Sequence, residues 1–247
     1  MAEWFETFFT GPLSRGFIGT WENPAALRHA RMVRKLLGLR KGARILDAPC
    51  GQGRLAVPLA RMGFSVTGVD ITAPYIRRVR KQARIEGLPI RYILRDMRKI
   101  AFEKEFDAVI NYGGSFGYFS DVENLDFCKR AFRALKPGGK FLVDGPNRTW
   151  VRKHFLEFMV HQEAEPRIVS RNRFDRRTNR VFSRWTFSQG KHREVRTSSI
   201  WLFDAAAVRE LLRAAGFRDI TLYGLPSLGR VTRSSQRIIA VARKSGK

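Results

Sequence analysis

The sequence predicts an α/β protein built on a doubly wound, mostly parallel sheet. Three observations carry this. Short apolar runs alternate with amphipathic helical runs between Ala43 and Asp144, the spacing of βαβ units. Acids close three of those runs, at Asp47, Asp70 and Asp96, and the first is followed by a turn containing Gly51 and Gly53. The alternation stops after Asn147, where an antiparallel meander precedes one last helix and a closing strand pair.

Each element has a local reason. Asn23-Pro24 ahead of Leu27, Ala30, Val33 and Leu37 reads as a capped helix with proline in its first turn, ended by Gly38. Ala43–Asp47 is a short apolar strand, and Leu55, Leu59 and Met62 form the face of a following helix. Phe64–Val69 is a second strand. Thr72 opens a helix with Ile76, Val79 and Ala83 on one side. Ile90–Leu94 and Phe106–Asn111 are further strands, and Asp121–Leu135 is helical. Lys136-Pro137-Gly138-Gly139 is a stop and turn before a strand over Lys140–Asp144. A helix is expected over Thr149–Val160, then strands over Arg167–Phe174, Arg180–Ser188 and Glu194–Phe203. Asp204 caps a last helix ended by Gly216. Phe217–Tyr223 and Arg237–Ala242 pair at the end. Residues 1–148 and 204–247 are therefore read as one domain, and 149–203 as an inserted antiparallel lid.

Composition narrows the class. Of 247 residues, 44% are hydrophobic and 28% charged, which excludes a disordered polyelectrolyte. No apolar run approaches the ~18–20 residues of a membrane helix. Met1–Glu6 lacks the basic and apolar regions of a signal peptide, and Cys50 and Cys128 make no disulfide framework. A cytoplasmic soluble protein is expected, with no metal site. The net charge is +25, from 47 Lys and Arg, 35 of them Arg, against 22 acids. Such a field attracts polyanions, but the excess is spread along the chain rather than held in a tail.

The turn Leu46-Asp47-Ala48-Pro49-Cys50-Gly51-Gln52-Gly53-Arg54 lets a backbone approach a ligand, yet Ala56 stands where a dinucleotide fingerprint has its third glycine. A carboxylate beside the turn also repels a pyrophosphate. Asp70 can accept both ribose hydroxyls of a nucleoside. Asp96-Met97 offers a carboxylate to an amino group and a flat apolar neighbour to a purine. Together they suit an adenosine with a cationic aminoacyl tail.

On these residues the chain resembles the class I S-adenosylmethionine-dependent methyltransferases. ILDAPCGQGRLAVPLA (45–60) is similar to the family's first motif, VTGVDIT (66–72) to its second and RDMR (95–98) to its third. FDAVINYGGSFGYF (106–119) and LKPGGKFLVDGPN (135–147) resemble the next two. GGSFGYF is similar to the fourth motif of bacterial small-molecule enzymes with an antiparallel lid, including glycine and amino-sugar N-methyltransferases. The resemblance implies a Rossmann-like seven-stranded sheet whose last strand is antiparallel. It implies S-adenosylmethionine as cofactor, with S-adenosylhomocysteine as product. Implied contacts are Asp47, Ala48, Cys50, Gly51, Gly53, Asp70 on the ribose, Ile71, Asp96 and Met97 at the adenine, and Asn111 near the transferred methyl. Asn111-Tyr112-Gly113-Gly114 is not the Asn/Asp-Pro-Pro-Tyr/Phe of enzymes that methylate exocyclic nucleobase amines.

Candidate catalytic residues are Tyr112 and Tyr118, beside the expected acceptor site, and His154 at the base of the lid. Cys50 lies in the cofactor turn, so a buried thiol is expected there rather than a nucleophile. His29 and His192 read as solvated or packed, and His161 as a second base candidate. A small-molecule acceptor is expected, methylated on nitrogen or oxygen. The absence of a histidine–carboxylate pair tilts this toward nitrogen, because an amine needs only its lone pair. The rival is RNA methylation, with Arg77, Arg78, Arg80, Lys81 and Arg84 and the basic lid tracking phosphates. Non-specific RNA binding and an oligomer are compatible with the charge. A third reading, a non-catalytic module that keeps the cofactor fold for nucleic-acid association, is opposed by the intact cofactor positions and by a lid without the Lys/Gly-rich, aromatic-interleaved look of a single-strand binding surface. The lid is expected to choose the acceptor and to contribute little to cofactor binding.

Overall fold

The computed structural model describes residues 3–246. Residues 1, 2 and 247, the outer ends of the expected main domain, lie outside that description. In chain order the first half holds α1 (Trp4–Phe8), α2 (Pro24–Leu37), β1 (Arg44–Asp47), α3 (Ala56–Arg61), β2 (Ser65–Asp70), α4 (Ala73–Ile85), β3 (Ile90–Leu94) and β4 (Phe106–Asn111). The second half holds α5 (Asp121–Ala134), β5 (Leu135–Pro146), α6 (Arg148–Lys153), β6 (Phe158–Gln162), β7 (Arg167–Asp175), β8 (Arg180–Gln189), β9 (His192–Trp201), α7 (Ala205–Ala214), β10 (Arg218–Leu225), β11 (Gly229–Arg230) and β12 (Arg237–Arg243). Single 3-10 turns cover Ser14–Gly16 and Met97–Lys99.

The main sheet has the order β11-β10-β12-β5-β4-β1-β2-β3. Strands β1 to β5 run parallel, and β12 is antiparallel to both β5 and β10. The expected seven strands are present with the last one antiparallel, and the two-residue β11 adds an eighth at the edge. Alternation along the strands splits the core into two layers. Ile45, Ala108, Ile110 and Leu142 pack toward α2, α3 and α4, while Leu46, Val109, Phe141 and Val143 pack toward α5 and α7. Chain order reverses between β1 and β4, so the crevice for a ligand opens at their carboxyl ends.

The caps follow the sequence. Asn23 Oδ1 accepts from Ala25 N at 2.8 Å, and Gly38 closes α2 at φ 63°. Asp204 accepts from Ala207 N at 2.9 Å at the start of α7. Thr72 precedes α4, but its side chain makes no capping bond; Asp70 Oδ1 accepts from Thr72 N instead.

The lid differs from expectation. α6 stops at Lys153, and Phe158–Gln162 forms a fourth strand in the order β6-β7-β8-β9. Cross-strand pairing decides it: Phe158 lies opposite Arg171 and Val160 opposite Val169. The aromatic and branched run Phe158-Met159-Val160 suits that pleated edge better than a helix. No element was expected before Asn23, yet residues 3–20 form a strap across the crevice. Trp4, Phe8, Phe9 and Phe17 pack against Ile168, Trp185 and Phe187 on the inner face of the lid.

Candidate active site

The crevice at the ends of β1, β2 and β4 is roofed by the strap and holds a free volume of about 100 Å³. Its floor is the turn after β1. Gly51 adopts φ 51°, a left-handed conformation that favours glycine, and a Cβ there would lie 2.8 Å from Ile18 Cδ1 of the strap. Gln52 Nε2 donates to the carbonyls of Arg15 (3.2 Å) and Ile18 (2.8 Å), and Tyr75 Oη donates to Arg15 O at 2.8 Å. These bonds seat the strap over the turn.

Asp47 faces the cavity from the end of β1 and is buried. Burial pushes its carboxyl up to about 8; Arg54 pulls the other way and Asp70 adds to the rise. No hydrogen-bond donor among the described residues contributes to its state. A buried carboxylate in that position is stabilised by an incoming cation. Asp70 is differently placed. Its Oδ2 accepts from Gly51 N and its Oδ1 from Thr72 N, both at 2.8 Å. Burial raises its pKa and the Thr72 and Gly51 N–H groups lower it. A carboxylate offers about four acceptor positions, so room remains for a pair of hydroxyls.

Asp96 lines the cavity, but Arg98 largely occupies it: Nε at 2.9 Å and Nη2 at 2.7 Å, with Arg98 N on Oδ1 at 2.8 Å. Met97 and Ile71 supply apolar wall. Cys50 also lines the cavity; burial, then Asp70 and Asp47, push its thiol well above the usual range, so it is no thiolate nucleophile. These residues, with Gly51, gather around one cavity.

Three expected cofactor contacts do not line it. Ala48 and Asn111 lie fully buried beneath, where Asn111 Nδ2 donates to Ala48 O at 2.9 Å and meets Met97 Sδ at 3.5 Å. Asn111 therefore supports the floor, and its Oδ1 is buried without a partner among the described residues. Gly53, at φ 78°, packs against Val79 and Tyr92 behind the turn.

Tyr112 and Tyr118 do line the cavity, at the end of β4. Burial raises both phenols, Tyr118 to about 12 although a bond to Ser115 opposes it, so neither is a phenolate base at neutral pH. Arg54 lies over the Tyr112 ring at 5.4 Å. Asp144 anchors the loop after Tyr112: Oδ1 accepts from Gly113 N at 2.6 Å and Oδ2 from Arg237 Nε at 2.9 Å. Gly117 passes the carbonyl of Trp201 too closely for any Cβ, and its own carbonyl accepts from Trp201 N at 2.7 Å. The loop is thus tied to the root of the lid.

His154 is a correction. It is exposed at the end of α6, stacked on Trp150 at 4.6 Å with Nδ1 on Trp150 O, and does not line the cavity. The helix expected over Thr149–Val160 ends one residue before it. His161 lies on the lid against Trp185 and bonds Ser170 Oγ at 2.9 Å. The sequence reading missed Phe5, Phe9, Ile18, Gln52, Arg54 and Tyr75. The aromatic density of Trp4-Phe5-Glu6-Thr7-Phe8-Phe9 was the available signal for a packed N-terminal strap.

The strap also links the lid to the cavity. Glu194 on β9 accepts from Leu13 N at 2.9 Å and bonds the Ser14 hydroxyl. Burial pushes its carboxyl up, but those donors and Arg196 together hold it below the ordinary range. The lid therefore holds the same strap that roofs the cavity.

The crevice at the switch point, the acids at three strand ends and the lid after the fifth strand define a class I S-adenosylmethionine-dependent methyltransferase fold. Residues 45–139 match the family model described as a methyltransferase domain. A ubiquinone biosynthesis O-methyltransferase from Bradyrhizobium diazoefficiens is 34% identical over 161 residues, 65% of this chain and 60% of that one. The CcbJ methyltransferase from Streptomyces caelestis superposes with a TM-score of 0.82 at 20% identity, over 97% of this chain and 99% of that one. CalS10, an amino pentose methyltransferase from Micromonospora echinaspora, gives 0.67 at 21% identity, over 94% of each chain. The chain spans about half the length of the first curated relatives it matches.

Proposed function

We propose that this protein transfers the methyl group of S-adenosylmethionine to a nitrogen or oxygen of a small-molecule acceptor. The observation that carries the reading is the roofed cavity: Phe5, Phe9 and Ile18 of the strap, Asp47 and Asp70 of the sheet, and Tyr112 and Tyr118 line one recess, the mixed apolar and polar lining of a small-molecule site. The residues present fit the cofactor. Asp47 is a buried carboxyl that an incoming cation would ionise, Asp70 has acceptor positions to spare, and Met97 with Ile71 forms a flat apolar wall. When bound, the cofactor supplies a methyl already activated on a sulfonium.

The chain's own contribution is then orientation and exclusion of water. Phe5, Phe9 and Ile18 keep solvent out from above. Tyr112 and Tyr118 stay protonated, so their hydroxyls can donate to the acceptor and hold it at the end of β4. A neutral amine needs no base in this setting, which favours nitrogen over oxygen. The neighbours support a small acceptor of either kind, one being named for an amino pentose and one for ubiquinone biosynthesis.

The test is methyl transfer from radiolabelled cofactor to panels of amino sugars, small amines and phenols, with total RNA alongside. Turnover on a small molecule, with RNA at background, is the expected result. Stoichiometric labelling of one RNA, with no turnover on any panel, would transfer the assignment to the rival.

A further inference from the structure

We propose that the outer face of the lid sheet is a docking surface for single-stranded RNA, separate from the methyl-transfer cavity and not itself a substrate site. β-pairing assembles this face. Arg167, Arg171, Arg173, Arg184 and Arg193 are all exposed, and their positions in the ladders place them on the side opposite Ile168 and Phe187, which pack on the strap. Residues on one face of a strand recur about every 6.6–6.8 Å, so the guanidiniums form a broad basic field. Acids near its edges are engaged: Glu163 pairs with Arg167 at 3.4 Å, Glu165 accepts from Gly190 N, and Asp175 accepts from Arg177 N and Thr178 N.

Aromatic rings lie among the arginines, which the linear order concealed. Phe158 is 47% exposed beside Arg171, whose guanidinium lies 5.8 Å above its ring. Arg173 lies 4.6 Å over Phe182. Such stacks of planar cation on ring extend naturally to nucleobases, and aromatic platforms in a basic groove are how single strands are held without sequence readout. The arginines that surround these rings favour a charged polyanion over the hydrocarbon of a membrane. A second copy docked face to face would bring like charges together. Thr186, Ser188 and Thr197 add hydroxyls to the same face, partners for the 2′-hydroxyl that distinguishes RNA.

The basic face of α4 is partly in use. On α4, Arg78 bonds Gln52 and Glu22 and lies over Trp21, while Arg80 donates to Tyr92 O. On the lid face, Arg171, Arg173, Arg184 and Arg193 have no acidic partner among the described residues, so their charge is left for an external polyanion.

The test uses the full chain and fluorescent oligo(U) of about 20 nucleotides, read by anisotropy. With about five phosphates neutralised, a fourfold rise in salt should weaken binding on the order of a hundredfold. Arg171→Glu with Arg184→Glu should weaken it by about tenfold or more and flatten the salt slope. Phe158→Ala should weaken it without changing that slope. Affinity for S-adenosylhomocysteine should not move in any of these variants, which also shows that they fold. Oligo(dT) should bind less tightly than oligo(U). The proposal is overturned if the charge-reversed protein binds oligo(U) like the parent, if oligo(dT) binds equally, or if phosphatidylserine vesicles bind the face and oligo(U) does not.

Discussion

At about pH 6 the Asp47 carboxyl should carry a proton in the ligand-free protein, because burial holds its pKa up to about 8 against the pull of Arg54. A cationic ligand beside it favours the ionised form. If the ligand returns the group toward the ordinary carboxylate range near ~3.9, binding releases a proton throughout the interval between. The sign is fixed: affinity rises with pH and levels off near 8. The slope is bounded at about tenfold per pH unit, or ~1.4 kcal/mol. An α-amino group on the ligand, titrating near ~8, lowers affinity only above that point. Calorimetry of S-adenosylhomocysteine at pH 6.5 in phosphate and in Tris should therefore give different heats, the difference counting the released proton. Asp47→Asn should bring the two heats together and flatten the pH profile. Equal heats in the parent, with affinity flat from pH 6 to 8, would refute the placement of the cofactor's cation at Asp47. The same shift makes the empty protein less stable as pH rises from ~4 to ~8, since the folded state holds the extra proton in that window. Asp47→Asn should accordingly raise the apo Tm more at pH 8 than at pH 5.

Asp70→Ala removes the acceptor for Gly51 N and Thr72 N as well as for the cofactor's hydroxyls. Loss of charge-assisted bonds worth about 1.5–3 kcal/mol should weaken S-adenosylhomocysteine roughly ten- to a hundredfold, measured by calorimetry. Glu194→Ala frees Leu13 N and the Ser14 hydroxyl. A cost of about 1–3 kcal/mol should appear as a lower Tm, and stopped-flow should show faster S-adenosylhomocysteine release as the strap loosens. Both thiols are buried with pKa values raised by that burial, so folded protein at pH 8 should resist alkylation at Cys50 and Cys128 alike. Tyr118→Phe, which keeps the ring against Trp4 but removes the hydroxyl, should lower turnover while leaving cofactor affinity unchanged.

The sequence by itself determined the parallel sheet, its strand-end acids and the turn after β1. Those features are local: a strand of alternating apolar residues, a cap and a glycine each declare themselves within a few positions. Asp47, Asp70 and Met97 could therefore be named before any fold was known. The strand β6 was not legible, because Phe158–Gln162 is a strand only through pairing with β7. His154 was misplaced for the same reason, once the helix expected to carry it ended at Lys153. Asn111 belonged to the right neighbourhood, but its amide turns beneath the floor toward Ala48 O, a choice set by packing across β1 and β4. The strap was hidden because its partners are remote in the chain: Glu194 reaches Leu13 across 181 positions, and Gln52 reaches Ile18 across 34. Burial decided the rest. A carboxyl, two phenols and a thiol have ordinary acidities in a sequence, and only enclosure against a low-dielectric interior, with Arg54 on one side and Asp70 on the other, sets which of them hold a proton.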